Sequence, residues 1–365
     1  MEDPGAANGM IHLIEPFKQH DFNIDAFVTG HAKEFLAQRK IQAHSIETTD
    51  VTELQHFCQR YDAVFIGNSE NRKSLSFNIL DISKKLSITS FCFVDSSVNH
   101  KYRFAGLTSN PLQHKPDYIF VPDEYCKKLY LELGFKEKSI FPLGHPFYEN
   151  VARERSRLKK LSARSKRIEL FGEENFSKKI IVFLGETLAG FDRQRDVYQE
   201  HWTLGKECHS KYKIHIALES LIKALQKYDK DNLHLVLRLH PKNQTSDFKP
   251  YLSFFDQTSQ NSDPLDLIYF ADIIIGVETS LMTEAAILGK KTLSIVPNSS
   301  LTSAIPHSIL EKIALAKTDK KLSEHLERLV KTNECINPEP YQFKNIAYNM
   351  ANTVKEILET KLAFS

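Results

Sequence analysis

The chain has 365 residues, 41% hydrophobic and 26% charged, a globular composition that excludes a largely disordered protein. Forty-eight Lys and Arg against 46 Asp and Glu leave a formal charge of +2, too balanced to mark a nucleic-acid binder. The length points to two domains, no apolar run reaches the roughly 18–20 residues of a membrane-spanning helix, and Met1-Glu2-Asp3-Pro4 opens no secretory signal.

In chain order, residues 4–8 (PGAAN) read as a small-residue loop, followed by a helix over 9–19. Strands are expected at 23–30, 41–46, 63–67, 90–94 and 118–121. Helices are expected at 31–39, at 50–60 with Asp50 as N-cap, at 74–86, and at 123–133 closed by Gly134. An open α/β domain usually starts with a strand that feeds its first loop. Here the loop comes at once, so the first strand is expected to be missing, because the native start lies upstream or because a central strand has been lost.

Residues 151–178 are rich in Arg and Lys and read as a basic linker. A second alternating series follows: strands at 179–184, 234–239, 273–276, 292–296 and 313–317, with helices at 214–227, 264–270, 281–288, 319–331 and 341–362. The alternation predicts two doubly wound α/β, Rossmann-like domains facing across a cleft, at 1–150 and 179–340, with 341–365 as a closing C-terminal helix.

The segment richest in chemistry is 271–289, where a strand ends at Gly276, a polar turn carries Glu278 and Thr279, and a helix opens near Ser280. Backbone N–H groups and the positive helix end meet there, which suits a phosphate or pyrophosphate. Glu284, one turn in, could accept hydrogen bonds from two ribose hydroxyls. The competing reading is a capping turn, with Thr279 or Ser280 as N-cap. Arg238 and His240 stand at the end of a strand, where open α/β sheets bind ligands. Arg238 could fork onto phosphate, and His240 could donate to a developing leaving-group charge. Glu186 follows the first strand of the second half and faces either substrate or solvent.

In the first half, Gly5 and Asn8 lie in the small-residue loop. Asp95, at a strand end, is the best-placed general base, with turn capping as its equal rival; Arg103 follows close behind. His145 closes this half, reaching the cleft or completing a structural turn. No H-x-x-x-H pair appears, and residues 192–196 (DRQRD) supply no D-x-D, so no metal site is expected. The cysteines, Cys58, Cys92, Cys126, Cys208 and Cys335, lack C-x-x-C spacing and read as reduced thiols of a cytoplasmic protein. The basic stretch from Arg153 to Arg167 is either a solvated helix face or a peripheral contact with the anionic inner face of a membrane.

Together these segments resemble the GT-B group of nucleotide-sugar enzymes. By architecture the resemblance covers most of the chain. It is sharpest in R-L-H-P followed by A-D-I-I-I-G-V-E-T-S-x-x-x-E-A-x-x-x-G-K, similar to bacterial surface-polysaccharide glycosyltransferases and UDP-N-acetylglucosamine 2-epimerases. In the first half E-D-P-G-A-A-N, F-V-D-S-S-V-N-H-K-Y-R-F, V-P-D-E and L-G-H-P resemble the polysaccharide group. The resemblance implies a nucleotide on 179–340, an acceptor on 1–150 and chemistry between them. It assigns Glu278, Thr279 and Ser280 to the phosphate turn, Glu284 to ribose, and Arg238 and His240 to the donor phosphates. Asp95, His240 and Glu186 become the catalytic candidates, and Gly5, Asn8, Arg103 and His145 the acceptor side. Where this chain has Glu-Thr-Ser the epimerases usually carry Ser-Gly-Gly, and a carboxylate at Glu278 repels pyrophosphate unless it points away or pairs with Arg238. The expected activity is metal-independent glycosyl transfer from a nucleotide-sugar donor to a polysaccharide acceptor, with no further cofactor and no nucleic acid. The alternatives are a UDP-sugar 2-epimerase or hydrolase, transfer of a polyol phosphate from a CDP-linked donor, or an inactive nucleotide-binding relative.

Overall fold

The computed structural model describes every residue except 70, 189–192, 299–302, 332–342, 344 and 364–365. Asp192, Cys335 and the expected helix start at Tyr341 therefore lie outside the described residues. The chain divides into two units, Met1–Asn150 with Phe343–Ser365, and Val151–Gln342.

The first unit holds β1 (Phe27–Val28), β2 (His44–Ser45), β3 (Ala63–Gly67), β4 (Thr89–Phe93), β5 (Tyr118–Phe120) and β6 (Ile140–Phe141). Strands β3 to β6 form one parallel sheet in that order, and β1 and β2 a separate parallel pair. Strand β4 is buried along its whole length and alternates faces. Phe91 and Phe93 pack with Phe120 and with Ile346, Met350 and Val354 of helix Ile346–Leu362. Cys92 and Val94 pack on the other side with Ile119, Val121 and Tyr130. The helix expected to close the chain thus completes the core of this unit. Asp50 caps its helix by accepting the N–H groups of Thr52 and Glu53 at 2.8 and 2.9 Å. Gly134 takes φ +100° after helix Glu124–Glu132, the left-handed stop expected of it.

Residues 4–8 are not a loop. They open helix Pro4–Met10, with proline in the first turn, where a missing N–H costs nothing. Small residues let this helix lie close to the sheet: a Cβ on Gly67 would come within 2.7 Å of the Ala6 methyl. Among the described residues no strand precedes this helix. The Met1 ammonium donates to the Phe27 carbonyl and the Met1 carbonyl accepts from Thr29, so the first residue runs alongside β1.

The second unit holds β7 (Lys179–Leu184), β8 (Leu233–Arg238), β9 (Gln257–Ser259), β10 (Ile273–Gly276), β11 (Lys291–Ile295) and β12 (Ala314–Ala316). All six are parallel, in the order β12-β11-β10-β7-β8-β9. The order reverses between β7 and β10, the switch point where connections leave to opposite sides and a crevice opens at the carboxyl ends. Strands β7 and β10 are almost wholly apolar, and β8 is fully buried with His234 and Arg238 among its apolar residues, as in a sheet covered on both faces.

Residues 151–178 are largely helical, in helices Pro146–Leu158 and Ala163–Phe171. Several of their cations are paired within this unit. Arg157 and Lys166 both reach Asp266, and Arg167 bonds Asp272 and the carbonyls of Phe270 and Lys178. No helix among the described residues is long and apolar enough to cross a membrane.

Candidate functional site

At the switch point of the second unit, β7 delivers Glu186 and β10 delivers Glu278. Glu186 turns inward, its Oε1 accepting the Glu278 N–H at 2.6 Å. This bond pins the turn between β10 and helix Ser280–Ile287. Burial raises the Glu186 carboxyl above its usual range, opposed by the nearby Lys213 ammonium. Its other oxygen lies 3.8 Å from Lys213 Nζ.

Glu278 pairs with cations, though not with Arg238. Its Oε1 receives Lys213 Nζ at 2.5 Å and also the Arg195 guanidinium. Its Oε2 accepts the Ala304 N–H at 3.0 Å. Burial works to raise this carboxyl, but Lys213 and Arg195 outweigh it and hold the group down to about 2. Lys213 opens helix Lys213–Leu225 and also lies 3.2 Å from Asp196. Burial disfavours its charge, yet the ammonium is held above its ordinary range by Glu278 and Glu186. A repulsive carboxylate at the turn is thereby neutralised within the fold.

The turn itself remains open. Thr279 is the N-cap of helix Ser280–Ile287 with extended backbone and no side-chain cap, and Ser280 is exposed. Thr279 thus takes the N-cap position that the capping reading gives it, without the side-chain bond that usually comes with it. The first N–H groups of that helix have no acceptor within it. Glu284 is buried one turn further in, at 7% exposure.

His240, two residues past β8, stands near the same end of the sheet. Its Nδ1 accepts the Lys242 N–H at 3.1 Å, which leaves the ring proton on Nε2. Burial, with Lys242 nearby, lowers it to about 4, so the ring is a neutral donor at pH 7. Asn243 ties the two loops together, accepting the His240 N–H through Oδ1 and donating to the Glu186 carbonyl through Nδ2. Arg238 goes elsewhere: Nη1 donates to the hydroxyls of Ser259 and Ser262, at 3.0 Å each.

In the first unit, Gly5, Asp95 and Arg103 come together. A Cβ on Gly5 would stand 2.4 Å from Asp95 Oδ2, and Arg103 Nη2 lies 3.7 Å from Asp95 Oδ1. Asn68 Oδ1 accepts the Asp95 N–H at 3.3 Å. Asn8 Oδ1 and Asn68 Nδ2 are buried with no hydrogen-bond partner among the described residues. His145 is buried between Phe93, edge-on at 4.9 Å, and Tyr148, stacked at 4.4 Å. Burial lowers it to about 3, and Nδ1 accepts the Phe147 N–H, so it is a neutral packed ring.

Sequence reasoning passed over Lys213, Arg195 and Asn243. Lys213 carried a signal, a lysine at the head of a helix just before the apolar Ile214, Ile216, Ala217 and Leu218. Among the described residues no group of three or more His, Cys, Asp and Glu is placed to hold a metal ion.

No family model matches the chain, and no curated protein does. Solved structures do. The chain is similar to UDP-GlcNAc 2-epimerase from Neisseria meningitidis bound to UDP-GlcNAc, at 15% identity and TM-score 0.67 over 96% of both chains. It is similar to the epimerase from Methanocaldococcus jannaschii in complex with UDP-GlcNAc and UDP, at 14% identity and TM-score 0.61 over 96% of this chain and 97% of the other. It is also similar to Anabaena HepE in complex with UDP and glucose, at 11% identity and TM-score 0.56 over 100% of this chain and 96% of the other. At these identities the likeness establishes the fold: two Rossmann-like domains, the GT-B architecture that the nucleotide-sugar enzymes share.

Proposed function

We propose that the chain is a nucleotide-sugar enzyme that holds a UDP-sugar on its second unit and acts on it without an acceptor, as an epimerase or hydrolase. The observation that carries the nucleotide site is the open, exposed start of helix Ser280–Ile287 at the β7/β10 switch point. In this reading the N–H groups of Ser280 and Leu281 and the positive helix end receive the diphosphate. The Thr279 hydroxyl, uninvolved in capping, is available to the same group. His240 donates through Nε2 to charge that develops as the sugar–phosphate bond lengthens. Glu284 serves the ribose. Arg238, with Nη1 given to two serines, holds the wall of the site and touches the diphosphate only through its remaining N–H groups.

Full-length likeness to enzymes named UDP-GlcNAc 2-epimerases favours epimerisation or hydrolysis over transfer. Inverting a sugar carbon requires a C–H bond to be broken and remade from the other face. Asp95, beside Arg103 and Gly5, is the carboxylate we assign to that proton, and Asn8 and Asn68 offer unsatisfied polar atoms to sugar hydroxyls. Glycosyl transfer is the second reading, kept because the likeness to HepE, crystallised with UDP and glucose, also spans the whole chain.

The test is incubation with UDP-GlcNAc alone, followed by proton NMR of the anomeric region. New epimer, or free sugar with UDP, supports the proposal. Turnover only after oligosaccharide acceptors are added would support transfer. No UDP-sugar binding at all would contradict both.

A further inference from the structure

Glu278 departs from what a diphosphate site calls for, and its surroundings give it a different task. One carboxylate joins four parts of the second unit. Oε1 takes Lys213 at the head of helix Lys213–Leu225 and Arg195 of helix Arg193–Asp196. Oε2 takes the N–H of Ala304, while the residue's own N–H is fastened to Glu186 at the end of β7. With it stand two further carboxylates, Glu186 and Asp196, and two cations, Lys213 and Arg195. All five side chains are at most 14% exposed. Such a network demands that every member be in place, since one unpaired buried charge costs more than the pair returns.

We propose that Glu278 is a positioning residue: with Lys213 it latches the Arg195 helix and the 303–304 segment onto the turn before Ser280, and so fixes the N–H groups that would receive the diphosphate. This rests on the reading of that turn as the diphosphate site. The two cations are held by Glu278 and Asp196, so they shape the turn and do not themselves bind the ligand. The repulsion expected of a carboxylate beside pyrophosphate is cancelled because its charge is directed away into the pair of cations.

The experiment uses the full chain, with UDP as probe, and four variants: Glu278→Gln, which keeps the shape but removes the charge, Glu278→Ala, Lys213→Met and Lys213→Arg. Amide hydrogen exchange is read at Ala304 and, as reference, along β8; UDP affinity is read by calorimetry. Glu278→Ala is expected to speed exchange at Ala304 by about tenfold or more with β8 unchanged. In both Glu278 variants and in Lys213→Met, UDP affinity should fall by about tenfold, and Lys213→Arg should restore most of it. Unchanged Ala304 protection in Glu278→Ala overturns the latch. Unchanged UDP affinity in folded Glu278→Gln overturns the positioning role. Absence of UDP binding in the unmutated chain is a failure of the proposed function instead, and the exchange at Ala304 still decides the latch.

Discussion

The two units solve one task by different physics. Each brings polar groups to the carboxyl ends of parallel strands. In the first unit, close approach does it: Gly9 lies so near the sheet that a Cβ would stand 2.3 Å from Phe93 and 3.1 Å from the His145 ring. The groups packed against Gly9 are aromatic rings, and the charged groups Asp95 and Arg103 of that unit form a loose pair at 3.7 Å. In the second unit the corresponding ends are joined by charge, with Lys213 and Arg195 between three carboxylates. A sterically built end tolerates no added atom, and a charge-built end tolerates no missing partner.

The largest effect should come from breaking the charge side. Lys213→Met leaves Glu278, Glu186 and Asp196 without their shared ammonium and is expected to destabilise the second unit by about 3–5 kcal/mol. Trp202, the only tryptophan and itself buried in that unit, makes the loss visible as an earlier fluorescence transition in denaturant. A shift below about 1 kcal/mol would mean that the pairs are not isolated from solvent.

Acid separates the units next. His145, lowered to about 3 by burial, is neutral when folded but binds a proton near 6.5 when unfolded. The unfolded state therefore takes up more protons, and stability is lost as pH falls below about 6.5, by about 2 kcal/mol at pH 5. In His145→Gln that part of the slope should vanish; a slope unchanged from the parent would show the ring to be solvated. His240, lowered to about 4, adds a term of the same sign in the second unit. Glu278 acts in a lower window. Held at about 2 when folded, it contributes stability above roughly pH 4.5 that is lost as pH falls towards 2.

The steric side should give a smaller loss. Gly9→Ala adds a methyl within 2.3 Å of the Phe93 ring and should cost about 1–2 kcal/mol, despite alanine's better helix propensity. Exchange of the β4 amides reports it. A gain in stability would show that Phe93 can move aside. Smallest, Asp50→Ala removes a helix cap that takes part in neither set of groups and should cost about 1 kcal/mol, with UDP affinity unchanged.

Much of this was legible in the amino-acid order, for stated reasons. Strands such as Lys179–Leu184 and Ile273–Gly276, and helices Pro264–Phe270 and Asp319–Lys331, have the expected bounds because apolar runs and caps mark them. Two- and three-residue strands such as β6 and β9 carry no periodicity to read. Pro4–Asn8 looked like a loop because its residues are small, yet smallness serves a helix packed tightly on a sheet. The polar turn at 277–280 and the place of Asp95 at a strand end follow from strand-end logic; the approach of Asp95 to Gly5 does not, because Gly5 reads in the sequence as part of a loop. The partner of Glu278 did not, since Lys213 and Arg195 are separated from it by 65 and 83 residues, and only the sheet order brings them together.

The central claim is that the start of helix Ser280–Ile287 holds the diphosphate of UDP. Ser280→Pro tests it most directly. Proline is tolerated at the first helical position, and Thr279 already has the extended backbone proline requires of its predecessor. The change therefore deletes one N–H donor and leaves the helix standing. Calorimetry with UDP should show binding to the parent chain, and binding about tenfold weaker in Ser280→Pro at an unchanged melting temperature without ligand. Equal affinity in the two, or no binding by the parent, would contradict the account.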